Sequence, residues 1–462
     1  MKKIVGFKPI FRMALVMMFA SAVAACSNNN GNSSSSPTAS TQPSASDAAS
    51  ASPKATKELD QTPVTLRFAA WVPAENEAFT KIAREFEKKY PWVTVEWNFV
   101  NDNMMQAVTE SIAGDNPIDV FWGATFYDYV AQGITEDLTP YIAQDKEFQA
   151  YEFNPGILEP FQVDGKQYAL SRGNDTFLVY YNKDLLKKYG LEAPANDWTW
   201  EELKEMAKAA TNPAEKDYGI ANTVLWFQYG ATTLPNANGH APKNRMMNED
   251  FTKNLADGSN QDVLDDLQWM LDWVTKDGIM LNTKRAAEAG VEGDTWMNGQ
   301  SLFMLHVSPL IPTYKDQLKF DWDIAPMPKG TAKQVGMSFI NPMMMTKASK
   351  HKEMAWEFMK FWTATVEGQK LVMDAGGTLL NTPNQELTDY FNQLPVYANI
   401  NKEALITASK IGEIDPAITM KGGEKVSEAV NAWAGDKGYT EEISAFDYFP
   451  AAMQKVNEEL SK

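Results

Sequence analysis

From residue 63 onward the apolar positions switch between two periods. Val64, Leu66 and Phe68 recur at every second residue and predict a strand, whereas Phe79, Ile82, Ala83, Phe86 and Tyr90 follow helical spacing up to the stop at Pro91. Val93, Val95, Trp97 and Phe99 again share one face of a strand. Met105, Val108 and Ile112 mark a second helix that ends near Gly114, and the apolar run 118–122 suits a short buried strand. The succession β-α-β-α-β predicts an α/β layer fold with a largely parallel sheet. Ligands of such sheets sit beyond the carboxyl ends of the strands.

The pattern resumes after Arg172. Residues 176–181 read as a strand, 184–189 as a helix closed by Gly190, and Thr199-Trp200-Glu201-Glu202 as a capping box that opens the next helix. Val263, Leu267, Met270, Leu271 and Val274 form a long amphipathic stripe ending at Asp277-Gly278. Ala355, Phe358, Met359, Trp362 and Val366 form another, and Gly376-Gly377 breaks the chain after it. Val426, Val430 and Trp433, then Met453, Val456 and Leu460, predict helices near the C-terminus. There is no internal repeat at a fixed period of 20–50 residues.

The first 62 residues follow none of these periods. Lys2, Lys3, Lys8 and Arg12 precede an apolar run over 13–25, which falls short of the roughly 20 residues that span a bilayer. Charge, apolar run and small residues in that order are the layout of a secretory signal. The run closes on Val23-Ala24-Ala25-Cys26, which resembles the lipobox of bacterial lipoprotein signals. That resemblance implies a diacylglyceryl group on the Cys26 sulfur and cleavage before it, removing residues 1–25 and their four positive charges. Residues 26–62 are a Ser-, Asn-, Ala- and Pro-rich stretch too poor in large apolar side chains to offset chain entropy, so a disordered tether is expected. A flexible tether of about 35 residues spans roughly 30–35 Å.

Composition narrows the function. The chain has 462 residues, 42 Lys+Arg against 60 Asp+Glu and a formal net charge of −18, which argues against nucleic acid as the main partner. A single Cys rules out an intrachain disulfide, and three scattered His leave little material for a metal site. Nucleotide fingerprints, H-E-x-x-H and G-x-S-x-G are all absent, so no cofactor is expected. A pair of carboxylates for glycoside hydrolysis stays possible, because such a pair is defined by distance and not by sequence.

The ordered series of segments resembles extracellular solute-binding proteins of the maltose-binding type. The likeness is carried by 65–70, the helix 79–90, Ile112-Ala113-Gly114-Asp115-Asn116-Pro117-Ile118-Asp119-Val120, and Gly133-Ile134-Thr135-Glu136-Asp137-Leu138-Thr139-Pro140-Tyr141. It continues through Tyr181-Asn182-Lys183-Asp184-Leu185-Leu186, Trp198-Thr199-Trp200-Glu201-Glu202-Leu203, Trp296-Met297-Asn298-Gly299-Gln300 and Ala355-Trp356-Glu357-Phe358. Pro117-Ile118-Asp119-Val120 carries one residue more than the family's Pro-Asp-Val, and Ala169-Leu170-Ser171 replaces its Gly-Leu-Pro.

The resemblance implies two α/β lobes, each a mostly parallel sheet flanked by helices, joined by crossings near 172–175, 335–339 and 384–389. Lobe 1 is expected over 63–172 plus 338–386, and lobe 2 over 173–337 plus 387–462. It further implies a monomeric, lipid-anchored subunit of an ABC importer on the outer face of the cell membrane, closing on a carbohydrate and docking on a membrane permease. The competing classes are a membrane-tethered polysaccharide hydrolase or lyase and a binding protein for another polar solute.

Sugar rings combine apolar faces with hydroxyl rims, so aromatic rings beside amides, carboxylates and Arg suit them. Trp71 and Trp122 follow the first and third strands at their carboxyl ends, where a cleft is expected. Arg172, Asn174 and Asp175 lie at the first expected crossing, with an interlobe ion pair as the competing role. Trp226 and Phe227 sit in a Gly- and Asn-containing stretch, Trp296 in the aromatic segment, Ser308 after the 303–305 strand, and Met337 at the second crossing. These ten residues are the expected ligand contacts.

Overall fold

The computed structural model describes residues 59–462 apart from 102, 124, 125, 155 and 377–380. The expected signal, Cys26 and nearly all of the tether lie outside the described residues. Eleven strands are present among them: β1 Val64–Ala70, β2 Val93–Phe99, β3 Val120–Trp122, β4 Gln162–Val163, β5 Lys166–Gln167, β6 Ala169–Asn182, β7 Tyr218–Ile220, β8 Ser301–Val307, β9 Trp322–Pro326, β10 Gly336–Met345 and β11 Gly412–Ile414. β4 and β5 form a separate hairpin. The remaining strands form one sheet ordered β2-β1-β3-β10-β6-β8-β7, with β11 on β10 and β9 on β6.

The sheet is parallel where helices connect successive strands. β1 runs parallel to β2 and β3, and β7 runs parallel to β8. The helix Glu77–Lys89 makes the first crossover; Asn76 caps it by accepting from the Phe79 amide, and Lys88 and Lys89 in its last turn oppose the negative end of its dipole. The expected capping box is present at Thr199 and Glu202, and Gly190 ends the helix Lys183–Tyr189 with φ 66°. The single stripe expected over 355–366 is two helices, Lys352–Thr363 and Val366–Asp374. Thr365 accepts from the Gly368 amide and caps the second one, and Gly368 packs so closely on the Phe361 carbonyl that a Cβ there would clash.

Two separate sets of core clusters make the protein two-lobed. Around β1–β3, Leu66, Phe68, Trp122, Phe358 and Trp362 pack on one face of the sheet, and Ala69, Phe121, Tyr129 and Met344 on the other. Around the other end, Phe177, Val179, Leu267 and Trp273 fill one face, and Leu178, Tyr180, Trp296 and Tyr397 fill the other. The alternation of Phe177, Leu178, Val179 and Tyr180 between these two cores follows directly from the period of a strand buried on both sides.

Strands β6 and β10 run through both ends. The 14-residue β6 pairs with β10 near its start and with β8 and β9 further on, while β10 pairs with β3 at its end and β11 at its beginning. These two antiparallel strands are the crossing. Residues 384–389, expected as a further crossing, are the cap and first turns of the helix Gln385–Gln393, which lies in the chain between Val372 of a lobe 1 core and Tyr397 of a lobe 2 core.

Candidate functional site

The crossing carries a β-bulge. Ser171 opposes Pro342 and Asn174 opposes Ile340, so β6 has three steps where β10 has two, and Arg172 and Gly173 together face Asn341. Gly173 has φ +156°, a conformation L side chains rarely adopt, which lets the strand insert the extra residue. The bulge re-aims the side chains on either side of it. Asp175 shares a face with its partner Phe339, and Asn174 shares the opposite face with Ile340.

On the Asp175 face a compact polar cluster spans the two strands. Asn341 Nδ2 donates to Asp175 Oδ2 at 2.7 Å and to the Phe339 carbonyl at 3.1 Å. Arg172 Nη2 donates to the same Asp175 oxygen at 3.4 Å. The Arg172 guanidinium lies over the indole of Trp122, 4.3 Å from its centroid. Burial pulls the Arg172 pKa down from its ordinary value, with Asp175 opposing that shift. Arg172 Nε and Trp122 Nε1 are buried without hydrogen-bond partners. Such groups cost free energy unless something supplies the missing partner.

Beside this cluster, the Tyr229 ring stands 4.4 Å from Phe177 and 5.4 Å from Phe339. Arg245 lies 5.2 Å from the Tyr229 centroid and is held by Asp415 through Nε at 3.0 Å and Nη2 at 2.6 Å. Asn381 ties the edge of β6 down, donating to the carbonyls of Ser171 and Thr363. Sequence reasoning missed Tyr229, Asn341 and Asn381. Tyr229 lies two residues after Phe227 in the same aromatic run, which was a usable signal. Asn341 and Asn381 are single amides far from Asp175 and Ser171 in the chain, with no local pattern to mark them.

The structure brings together four of the ten expected residues at the crossing: Trp122, Arg172, Asn174 and Asp175, with Asn174 on the reverse face. Trp71 is half-buried just beyond β1, against both lobe 1 clusters. Ser308 is buried, and its hydroxyl accepts from the Thr176 amide at 3.3 Å. The other four are corrections. Trp226 is 0 % exposed, packed edge-on against Trp200 and Trp273 at 6.4 and 5.7 Å. Phe227 packs on Trp433 and Tyr439, and Trp296 on Tyr314 and Phe320. Met337 is fully buried in the lobe 2 core. The stretch around Trp226 is not irregular but a π-turn, Trp226–Gly230, running into the helix Ala231–Asn238. That turn rolls Trp226 and Phe227 inward, where their apolar area is best removed from water.

Trp122 itself is only 1 % exposed and has two roles. Its ring packs in the core against Phe68, Phe79 and Trp362, and Arg172 covers it toward the crossing.

On the reverse face of β6 and β10, Asn174 and Ile340 border a cavity of about 1010 Å3. Asn154, Gly156, Ile157 and Pro160 contribute one wall and the helix Lys402–Ile411 another, with Phe251 and Phe391 among the lining side chains. Among the described residues no group of three or more His, Cys, Asp or Glu could hold a metal ion, and no helix is long and apolar enough to cross a membrane.

Two α/β lobes joined by a pair of shared strands, with a polar cluster on those strands, define a hinged binding protein. The chain belongs to the bacterial extracellular solute-binding proteins, whose family model matches residues 70–369. It is similar to an ABC substrate-binding protein from Listeria monocytogenes solved in complex with cycloalternan, with 26% identity and a TM-score of 0.75 over 87% of this chain and 100% of that one. A binding protein of Brucella abortus is 24% identical over 73% of this chain and 81% of its own. The arabinooligosaccharide-binding protein of Bacillus subtilis is 23% identical over 66% of this chain and 70% of its own. The family and these neighbours are substrate-binding proteins, not enzymes, and an extracytoplasmic location goes with the family.

Proposed function

We propose that this protein captures a carbohydrate, most fittingly an oligosaccharide, on the Asp175 face of the crossing strands and delivers it to the permease of an ABC importer. The observation that carries this reading is the polar cluster at the point where the lobes join: Arg172, whose buried Nε has no hydrogen-bond partner, beside Asp175 and Asn341. A hydroxyl-bearing ligand supplies an acceptor for Arg172 Nε, and Asp175 and Asn341 accept from and donate to the remaining hydroxyls. Phe339 and Trp71 offer ring faces for stacking. The saccharides named with the Listeria and Bacillus relatives support the same class of ligand.

The mechanism follows from the two-strand connection. Lobe 1, over 63–172 plus 338–386, and lobe 2, over 173–337 plus 387–462, pivot about β6, β10 and the return of the chain near 384–389 as the ligand fills the gap. The closed, monomeric form presents one surface to the permease, and ATP hydrolysis belongs to the importer's other subunits. The Val23-Ala24-Ala25-Cys26 run supports lipid anchoring through Cys26, which would hold the folded part at the outer face of the membrane on its tether. Replacing Cys26 by Ala should move the protein from the membrane fraction to the medium.

The function itself is tested by calorimetry of the folded chain with a series of maltose-, arabinose- and mannose-based oligosaccharides, with chromatography of each sugar afterwards. Saturable binding with the sugar returned intact is the expected result. Tight binding of a peptide or an organic acid, with none of the sugars bound, would transfer the site to another solute class.

A further inference from the structure

We infer that the cavity on the reverse face of β6 and β10 is a second carbohydrate site, separate from the one on the Asp175 face. Its shape alone would not carry this; the side chains that line it do. Five large apolar side chains are exposed among the described residues, and two of them, Phe251 at 37% and Ile406 at 41%, line this one cavity. Phe251 also has φ 56°. A bulky aromatic residue in the left-handed region is an outlier that costs of order 1–3 kcal/mol and persists only where its surroundings hold it. Here Asn248 holds it: the Asn248 side chain accepts from the Thr252 and Lys253 amides at 2.9 and 3.0 Å, and the Phe251 amide donates to the Asn248 carbonyl. The turn therefore holds a partly exposed ring at the cavity wall, with the Lys243 ammonium 5.9 Å from its centroid.

The chemistry of the walls fits a neutral polyhydroxy compound. Phe251 and Phe391 supply ring faces for the C–H side of a pyranose. Asn174 Oδ1 is buried at the cavity edge without a hydrogen-bond partner, and Asn392 and Ser409 add groups that both donate and accept. Lys243, also on the wall, is paired with Glu249 at 2.8 Å, and Lys410 shares the lining with Glu413, so the walls carry both signs of charge. A volume of about 1010 Å3 lies at the upper end of the range of small-molecule sites.

The second site is coupled to the first. Ile157 on one wall belongs to the lobe 1 core and Leu405 on the other to a lobe 2 core. Asn174 and Asp175 are consecutive in β6 and face the two sites in turn. Given the pivot proposed above, on which this coupling rests, a sugar in the cavity favours whichever lobe angle suits it and changes the front affinity by the reciprocal factor.

Saturation-transfer NMR and calorimetry with maltotriose and D-glucose test the assignment on the folded chain, using wild type, Arg172→Ala, Phe251→Gly and Ser409→Trp. In Arg172→Ala the tighter class, that of the front site, should weaken by roughly 10- to 100-fold, while the weaker class, that of the cavity, keeps its affinity. In Phe251→Gly and Ser409→Trp the weaker class should fall at least tenfold, with the tighter class still present. Phe251→Gly should also keep or raise Tm, because glycine relieves the strained backbone; a purely structural role for Phe251 would lower it. A single class that weakens to that extent in Arg172→Ala overturns the second site and leaves the front one standing. Persistence of the weaker class in Ser409→Trp, or no saturable signal from either sugar in any variant, overturns it as well. A tight class that keeps its affinity in Arg172→Ala would instead count against the front site.

Discussion

The Arg172 guanidinium rests 4.3 Å from the Trp122 ring centroid, joining a side chain from the crossing strand to the core of lobe 1. Its Nε has no partner and its Nη2 reaches Asp175. Arg172→Ala should weaken carbohydrate binding by roughly 10- to 100-fold, the equivalent of about 1.5–3 kcal/mol for a hydrogen bond to a charged group. Arg172→Lys should recover little of it, since an ammonium cannot lie flat on an indole while pairing with a carboxylate. Isothermal calorimetry on both variants reads the difference, and wild-type affinity in Arg172→Ala would remove this residue from the site.

Trp226 separates core from site in the opposite sense. Its ring is fully enclosed by Trp200, Trp273 and their neighbours. Trp226→Leu should therefore cost about 2–4 kcal/mol of stability in urea denaturation, in the range of large-to-small core changes. Sugar affinity at temperatures where the variant stays folded should be unchanged. A stable variant with lost affinity would place the ring on the cleft wall after all.

The Arg245–Asp415 pair is buried on both sides, with 4% and 2% of the side chains exposed. Asp415 offsets the burial that disfavours the Arg245 charge, and the Arg245 pKa ends above its ordinary value. Arg245→Met strands the Asp415 carboxylate and should destabilise the fold by about 3–5 kcal/mol. Adding Asp415→Asn should return a good part of that, because the lone buried charge is gone. Equal losses in the single and double variants would contradict this account.

His306 sets a pH dependence. Burial pushes its pKa from 6.5 down to about 4. Its Nδ1 accepts from the Val307 amide at 2.9 Å, which also requires the neutral ring. As pH falls through 6.5 the unfolded chain takes up a proton that the folded chain refuses until about 4. Stability from this residue is thus complete above pH 6.5, is lost between 6.5 and 4, and changes no further below. The full loss is about 3 kcal/mol. Denaturation curves of wild type and His306→Gln across this window should converge toward pH 4, the variant having the shallower slope.

Much of the architecture was legible from local pattern. The alternation of Val64, Leu66 and Phe68, the helical spacing that starts at Phe79, the capping box at Thr199 and the stop at Gly190 each reflect forces acting within a few residues, and each stands in the structure. The crossing at Arg172–Asp175 was legible only through likeness to a family. The inward turn of Trp226, Phe227 and Trp296 was not legible: an aromatic ring suits a core and a sugar face equally, and only the packing partners decide. The single stripe expected over 355–366 failed because Thr365 can cap as well as continue a helix.

The linear chain by itself determined which stretches are strands and helices and the α/β layering, because periodicity and capping are short-range; the family came from the likeness of its segments in order. The site was decided by the tertiary structure alone. Asn341 meets Asp175 across 166 residues, and Arg172 covers Trp122 because a one-residue bulge shifts the alternation of β6. Contacts of that kind depend on register between distant strands, and register is set by the packing of both lobes rather than by any local run of residues.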